Sequence, residues 1–118
     1  MIIGIGLDLI EIERIQKSVQ KNKKMIERIL TPEERSIYAE ISSERRKAEF
    51  LAGRFAAKEA FAKATGKGIG KLSFQHINVL NNDMGAPRIE AKGYEDVNVF
   101  VSITHSHSYA AAQVIIEK

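Results

Sequence analysis

The chain opens MIIGIGLD, an apolar, β-branched run interrupted by two glycines, which predicts a strand over residues 1–8. LIEIERIQKSVQK follows, with Ile10, Ile12 and Ile15 set among charges. That pattern predicts a turn and then a short helix from about Glu13. TPEER at 31–35 is a helix start: Thr31 can cap, Pro32 suits the first helical position and Glu34 completes a capping box. SSERR at 42–46 opens a long helix that runs to about Thr65, with Gly66 as its C-terminal stop. The period then changes. SFQHINVL (73–80) reads as a strand, NNDMGAP (81–87) has turn chemistry, and RIEA is the partner strand. VNVFVSITH (97–105) alternates, placing Val97, Val99, Val101 and Ile103 on one face, and SHS turns the chain into a last strand, YAAAQVIIE.

A strand, then helices, then antiparallel strands argues an α+β fold. The 118 residues suggest one domain spanning 1–118, with no repeat, linker or low-complexity segment. Composition changes little: 44% hydrophobic and 28% charged residues are ordinary for a globular protein. The absence of cysteine excludes disulfides and thiolate metal sites. No apolar run approaches the ~20 residues that span a bilayer. The N-terminus carries acids early and lacks a basic n-region, so a cytoplasmic protein without a membrane partner is expected. A net charge of +3 points only slightly toward an acidic partner.

The candidate chemistry lies in the long helix. At about 100° per residue, Phe50, Arg54, Ala57 and Phe61 form one stripe, with Leu51, Phe55, Lys58 and Ala62 beside it. Glu59 and Lys63 stand at i,i+4 on the next face, among the small residues Ala52, Ala56 and Ala60, where another body can approach closely. The plain reading is a surface ion pair worth about 0.2–0.5 kcal/mol. The sequel favours another. Lys63 adjoins KATGKGIG, whose glycines let backbone N–H groups near Gly66 come close to phosphate oxygens. A carboxylate one turn away suits Mg²⁺, which takes one or two carboxylates together with substrate phosphates.

That site needs a second carboxylate, and Asp8 closes the first apolar run. The competing reading of Asp8 is a cap or turn residue. The GIG before it is no dinucleotide fingerprint, because Leu9 occupies the third glycine position. GKGIGK is no phosphate loop, because Thr65 and Leu72 stand where glycine and Ser/Thr are required. His105 continues the Val97–Ile103 face and could contact a phosphate or ribose, or simply serve the turn. A zinc pair with His107 is a weak reading, since the only other histidine is His76.

Taken together, GIGLDLIEIERI (4–15), FLAGRFAAKEAFAKATGKGIG (50–70) and SITHSHSYAAAQVI (102–115) resemble the three signatures of holo-acyl-carrier-protein synthase, the small type of 4′-phosphopantetheinyl transferase. The resemblance covers nearly the whole chain. It implies a 4′-phosphopantetheinyl transferase-like fold, with an antiparallel sheet packed on one long helix and shorter helices. It implies transfer of 4′-phosphopantetheine from coenzyme A to a serine of apo acyl carrier protein, with release of adenosine 3′,5′-bisphosphate. Asp8 and Glu59 would hold Mg²⁺. Glu59 would serve as base, directly or through a metal-bound water, and Lys63 would pair with the pyrophosphate. Arg54 and His105, with Gly66, would make further coenzyme A contacts, and Arg14 would lie on the carrier-docking surface. The family is typically a homotrimer with sites between subunits.

Residues 13–28 carry Arg14, Lys17, Lys21, Lys23, Lys24 and Arg28 against Glu13 and Glu27. Alone, such a run reads as a solvated helix face; the resemblance makes it a surface for an acidic carrier. A nucleic-acid binder is the rival from a different class. Aromatic residues are not interleaved with the run and no RNA-binding signature is present, so no nucleic-acid partner is expected. A non-catalytic coenzyme A-binding module would not need both Asp8 and Glu59, and a structural trimer would leave the charged helix unexplained.

Overall fold

The computed structural model describes residues 1–69 and 73–118; the end of the glycine run, at Gly70 and Lys71, and Leu72 lie outside the described residues. The chain forms β1 (Ile2–Glu11), α1 (Ile12–Lys21), α2 (Lys24–Ile29), α3 (Pro32–Glu40), α4 (Glu44–Thr65), β2 (Ile77–Asn81), β3 (Pro87–Ala91), β4 (Asn98–His105) and β5 (Tyr109–Glu117). One antiparallel sheet has the order β1-β5-β4, and β2 and β3 form a separate hairpin. The architecture is the expected α+β arrangement of an antiparallel sheet on one long helix.

α4 explains its own composition. Ser43 caps it, its oxygen accepting from the Arg46 N–H at 3.2 Å. Gly66 ends it with φ 77°, a left-handed conformation that favours glycine. Between Ala48 and Ala64 the helix is buried on nearly every side. Ala56, Ala57, Ala60, Phe61 and Ala64 pack on Ala112, Val114 and Ile116 of β5 and on Ile77, Val79 and Ile89 of the hairpin. Val97, Val99, Val101 and Ile103 flank that core, as their alternation predicts. A second cluster, with Ile12, Ile15, Ile29 and Leu30, holds α1 and α2 against Ala48, Leu51 and Ala52. The body that approaches the small-residue face of α4 is therefore this chain's own sheet and helices.

Three local expectations are corrected. The first strand does not end at Asp8. It runs to Glu11, with Asp8 paired opposite Ala112 and Glu11 opposite Tyr109. Pairing with β5 carries the strand through the charges, because alternation sends each of them to a face where it is tolerated. α1 then starts directly at Ile12, without a side-chain cap. SFQH is not strand: residues 74–76 form a 3₁₀ turn, with the Ser73 hydroxyl accepting from Gln75 N–H at 3.1 Å. The Gln75 side-chain amide reaches the carbonyls of Glu27 and Leu30, each at 2.9 Å, serving α2 C-terminal groups left without helical partners. At α3 the predicted capping box is present, with Thr31 N–H donating to Glu34 Oε1 at 2.8 Å.

Candidate active site

Asp8 faces inward from β1, toward the half of α4 that carries Glu59 and Lys63. Lys63 Nζ donates to Asp8 Oδ1 and to the Leu7 carbonyl, both at 3.1 Å. The Asp8 side chain is 15% exposed, whereas that of Lys63 is 55% exposed, so the ammonium reaches the more buried carboxylate from the solvent side. Glu59 is half-buried beside them. Burial first, and the neighbouring Asp8 charge second, push its carboxyl above the usual range, and Lys63 pulls it partly back. Two partly buried carboxylates lie together here with one exposed ammonium bonded to Asp8, and the unfavourable charge on Glu59 is one that a bound cation would relieve. The pair therefore fits Mg²⁺, whose remaining positions water or phosphate oxygens would take. Among the described residues no cluster of three or more His, Cys, Asp or Glu is available for a metal, so a zinc site at His105 and His107 gains no support.

Asp8 and Glu59 line a cleft of about 560 Å³. Its apolar wall is Leu9, Ile10, Ile15, Met25 and Phe55, and Arg14 of α1 stands at its edge with Tyr109 and Glu11. The structure thus gathers three of the expected residues, Asp8, Glu59 and Arg14, around one opening, with Lys63 joined to it through Asp8.

The other expected residues lie elsewhere in the chain. Arg54 projects from another side of α4, with its guanidinium over the Phe50 ring at 4.2 Å from the centroid. Its Nη2 is 3.4 Å from Asn81 Oδ1, while its Nε is buried with no partner among the described residues. Burial pushes its basicity down and Glu34 pushes it back up. His105 ends β4, exposed, with Nδ1 3.9 Å from Glu49 Oε2. Glu49 also holds Arg45, whose guanidinium donates to the His107 carbonyl, so the β4–β5 turn is clamped onto the start of α4. Gly66 lies beyond the helix end, its N–H bonded to the Lys63 carbonyl at 3.1 Å.

Comparison with known proteins matches residues 4–114 to the model of the 4′-phosphopantetheinyl transferase superfamily. A holo-[acyl-carrier-protein] synthase of Oceanobacillus iheyensis is 51% identical over 99% of this chain and 98% of its own. The chain belongs to the holo-acyl-carrier-protein synthase family of 4′-phosphopantetheinyl transferases. A second relative in the family, from a Geobacillus species, is 56% identical over all of this chain and 98% of its own. The crystal structure of a holo-(acyl-carrier-protein) synthase from Bacillus anthracis, in complex with CoA (3′,5′-ADP), superposes with a TM-score of 0.91 at 47% identity, covering 100% of this chain and 98% of that one. The Helicobacter pylori family member in complex with coenzyme A has a TM-score of 0.84 at 35% identity, over 96% and 99% of the two chains.

Two features escaped the sequence reading. Lys58 and Glu34, both fully buried, form an ion pair at 2.6 Å. The capping box had accounted for Glu34, and nothing local joined it to a lysine 24 residues away. The glycines of GIG serve the packing of β1 on α4, and only their alternation, Gly4 and Gly6, hinted that they share a face.

Proposed function

We propose that this protein transfers 4′-phosphopantetheine from coenzyme A to a serine of apo acyl carrier protein, releasing adenosine 3′,5′-bisphosphate, with Mg²⁺ as its metal and the cytoplasm as its compartment. The observation that carries the reading is that Asp8 and Glu59 line one cleft together with Arg14, while Lys63 donates to Asp8 from beside it. The relatives' names and the coenzyme A bound to two of the solved structures agree with it.

The serine oxygen attacks the β-phosphorus, the one that bears pantetheine. The bond from that phosphorus to the bridging oxygen breaks, and the bisphosphate leaves with the electron pair. Glu59 takes the serine proton, directly or through one water. When bound, Mg²⁺ supplies charge neutralisation for the pyrophosphate, and Asp8 and Glu59 are the residues that would hold it. Lys63, freed from Asp8, adds a positive point charge to the leaving phosphate. Arg54, His105 and Gly66 are assigned to further coenzyme A phosphate and ribose contacts.

Arg54 and His105 do not line the Asp8 cleft of the one chain, which supports a site assembled between subunits. The outward face of β1 supports it too. Ile3, Ile5, Leu7 and Leu9 are all more than half exposed, as is Phe100 of the same sheet. A contiguous apolar sheet face of this kind marks an interface, and a homotrimer is the assembly assigned to it.

Intact mass spectrometry of an apo carrier incubated with the protein, coenzyme A and Mg²⁺ tests the reading. One added phosphopantetheine, abolished by EDTA, is expected. A carrier whose mass never changes, across several carriers, overturns it.

A further inference from the structure

We infer that Gly6, with Gly4 beside it, is a positioning residue for the carboxylate pair: the missing side chains set the gap between β1 and α4 across which Asp8 and Glu59 share one small cation. The inference rests on the metal-binding reading above and deepens it.

A Cβ on Gly6 would stand 1.8 Å from the Ala60 carbonyl oxygen and 2.8 Å from the Ala64 nitrogen. On Gly4 it would stand 1.9 Å from the Ala64 carbonyl oxygen. Carbon–oxygen contacts close at about 3.3 Å, so either methyl group would part strand and helix by roughly 1.5 Å. The obstacles are backbone atoms inside a buried helix, and no rotamer change relieves them. Backbone conformation is not the reason for glycine here, because Gly4 and Gly6 are not among the glycines with positive φ. What the site requires is the absence of a side chain.

The contact is flanked by the chemistry. Glu59 precedes Ala60, Lys63 precedes Ala64, and Asp8 follows Gly6 by two residues on the same strand face. Lys63 bridges the gap to both Leu7 and Asp8, so strand and helix lie within one lysine's reach at this point. Mg²⁺ accepts oxygens only near 2.0–2.1 Å and in near-ideal geometry. An added separation of about 1.5 Å exceeds what it tolerates. Glycine inside a strand weakens it; two at alternate positions make sense where a second backbone must come this close.

The test counts bound Mn²⁺, as a paramagnetic stand-in, by electron paramagnetic resonance in the presence of coenzyme A, with folding checked by circular dichroism. Gly6→Ala is expected to weaken Mn²⁺ binding at least tenfold. Asp8→Glu alone should also weaken it. The double variant Gly6→Ala/Asp8→Glu should return to within threefold of the parent, because one more methylene spans about 1.5 Å. A purely structural glycine would show no such rescue. The proposal is overturned if folded Gly6→Ala binds Mn²⁺ normally, or if the double variant is no better than Gly6→Ala. Should Gly6→Ala not fold, the same pair of measurements on Gly4→Ala decides; if neither folds, the glycines serve the fold and not the site, and the proposal is wrong. Asp8→Asn separates the two levels: undiminished Mn²⁺ binding there sinks the metal reading itself, whereas loss there with normal binding in the glycine variants sinks only the spacing.

Discussion

Replacing Lys58 with methionine removes one ammonium and disconnects four segments. Its Nζ donates to Glu34 Oε1 at 2.6 Å, to the Ile29 carbonyl at 2.7 Å and to the Phe74 carbonyl at 3.1 Å. Glu34 in turn accepts from Thr31 N–H at 2.8 Å and Val79 N–H at 2.6 Å. The end of α2, the start of α3, α4 and the entry to β2 thus meet at one charge. Burial pushes the Lys58 ammonium toward its neutral form, and Glu34 holds it charged. Methionine fills much the same volume, so the loss is electrostatic. It strands a buried carboxylate, at about 3–5 kcal/mol, and two carbonyls lose a donor as well. With ~2.1 cal/mol/K of unfolding entropy per residue, a chain of this length shifts about 4 °C per kcal/mol. Lys58→Met should therefore lower Tm by roughly 12–20 °C. Thermal unfolding followed by circular dichroism, at one fixed chain concentration because assembly feeds into Tm, measures this. Glu34→Gln should also be costly, since a side-chain NH₂ would face an N–H donor, and the two losses should fall well short of adding. A Lys58→Met variant within about 4 °C of the parent would refute the reasoning.

Further outcomes follow from the site and the surface. Glu59 binds its proton more tightly in the fold than in the unfolded chain, so the metal-free protein loses stability as pH rises from 4.5 through the raised value. Glu59→Gln escapes that loss: without metal its Tm advantage should grow from pH 4 to pH 8, and a flat difference would contradict the assignment. Arg14→Glu should raise the KM for carrier more than that for coenzyme A, through slower and less salt-sensitive association; equal effects on both would remove Arg14 from the docking surface. Leu7→Asp places a charge on the exposed apolar face of β1, and light scattering should report about one chain per particle against the three of the proposed trimer. An unchanged particle mass would mean that this face is not the interface.

Most elements were legible because their signals are local. The capping box at Thr31–Glu34, the Ser43 and Gly66 ends of α4, the turn at 81–87 and the alternation of Val97–Ile103 each lie within a few neighbouring residues. Asp8, Glu59, Lys63 and Arg14 could be singled out as residue types in suggestive places, and the three signatures they belong to tied them to a family. What stayed hidden depends on distant partners. β1 runs past Asp8 because β5, a hundred residues later, pairs with it through Glu11. SFQH coils because α2 presents free carbonyls for Gln75 to cap.

By itself, the sequence determined where the capped helices α3 and α4 start, which faces are apolar and which few side chains carry charge into apolar surroundings, since period and capping are properties of neighbours along the chain. Only the tertiary structure decided that Lys58 belongs to Glu34, that Gly4 and Gly6 exist for the sake of two helix carbonyls, and that Asp8 comes to Glu59 while Arg54 does not. Those are distances between segments, and they are set by how closely β1, β2 and α4 pack, a quantity that no local pattern encodes.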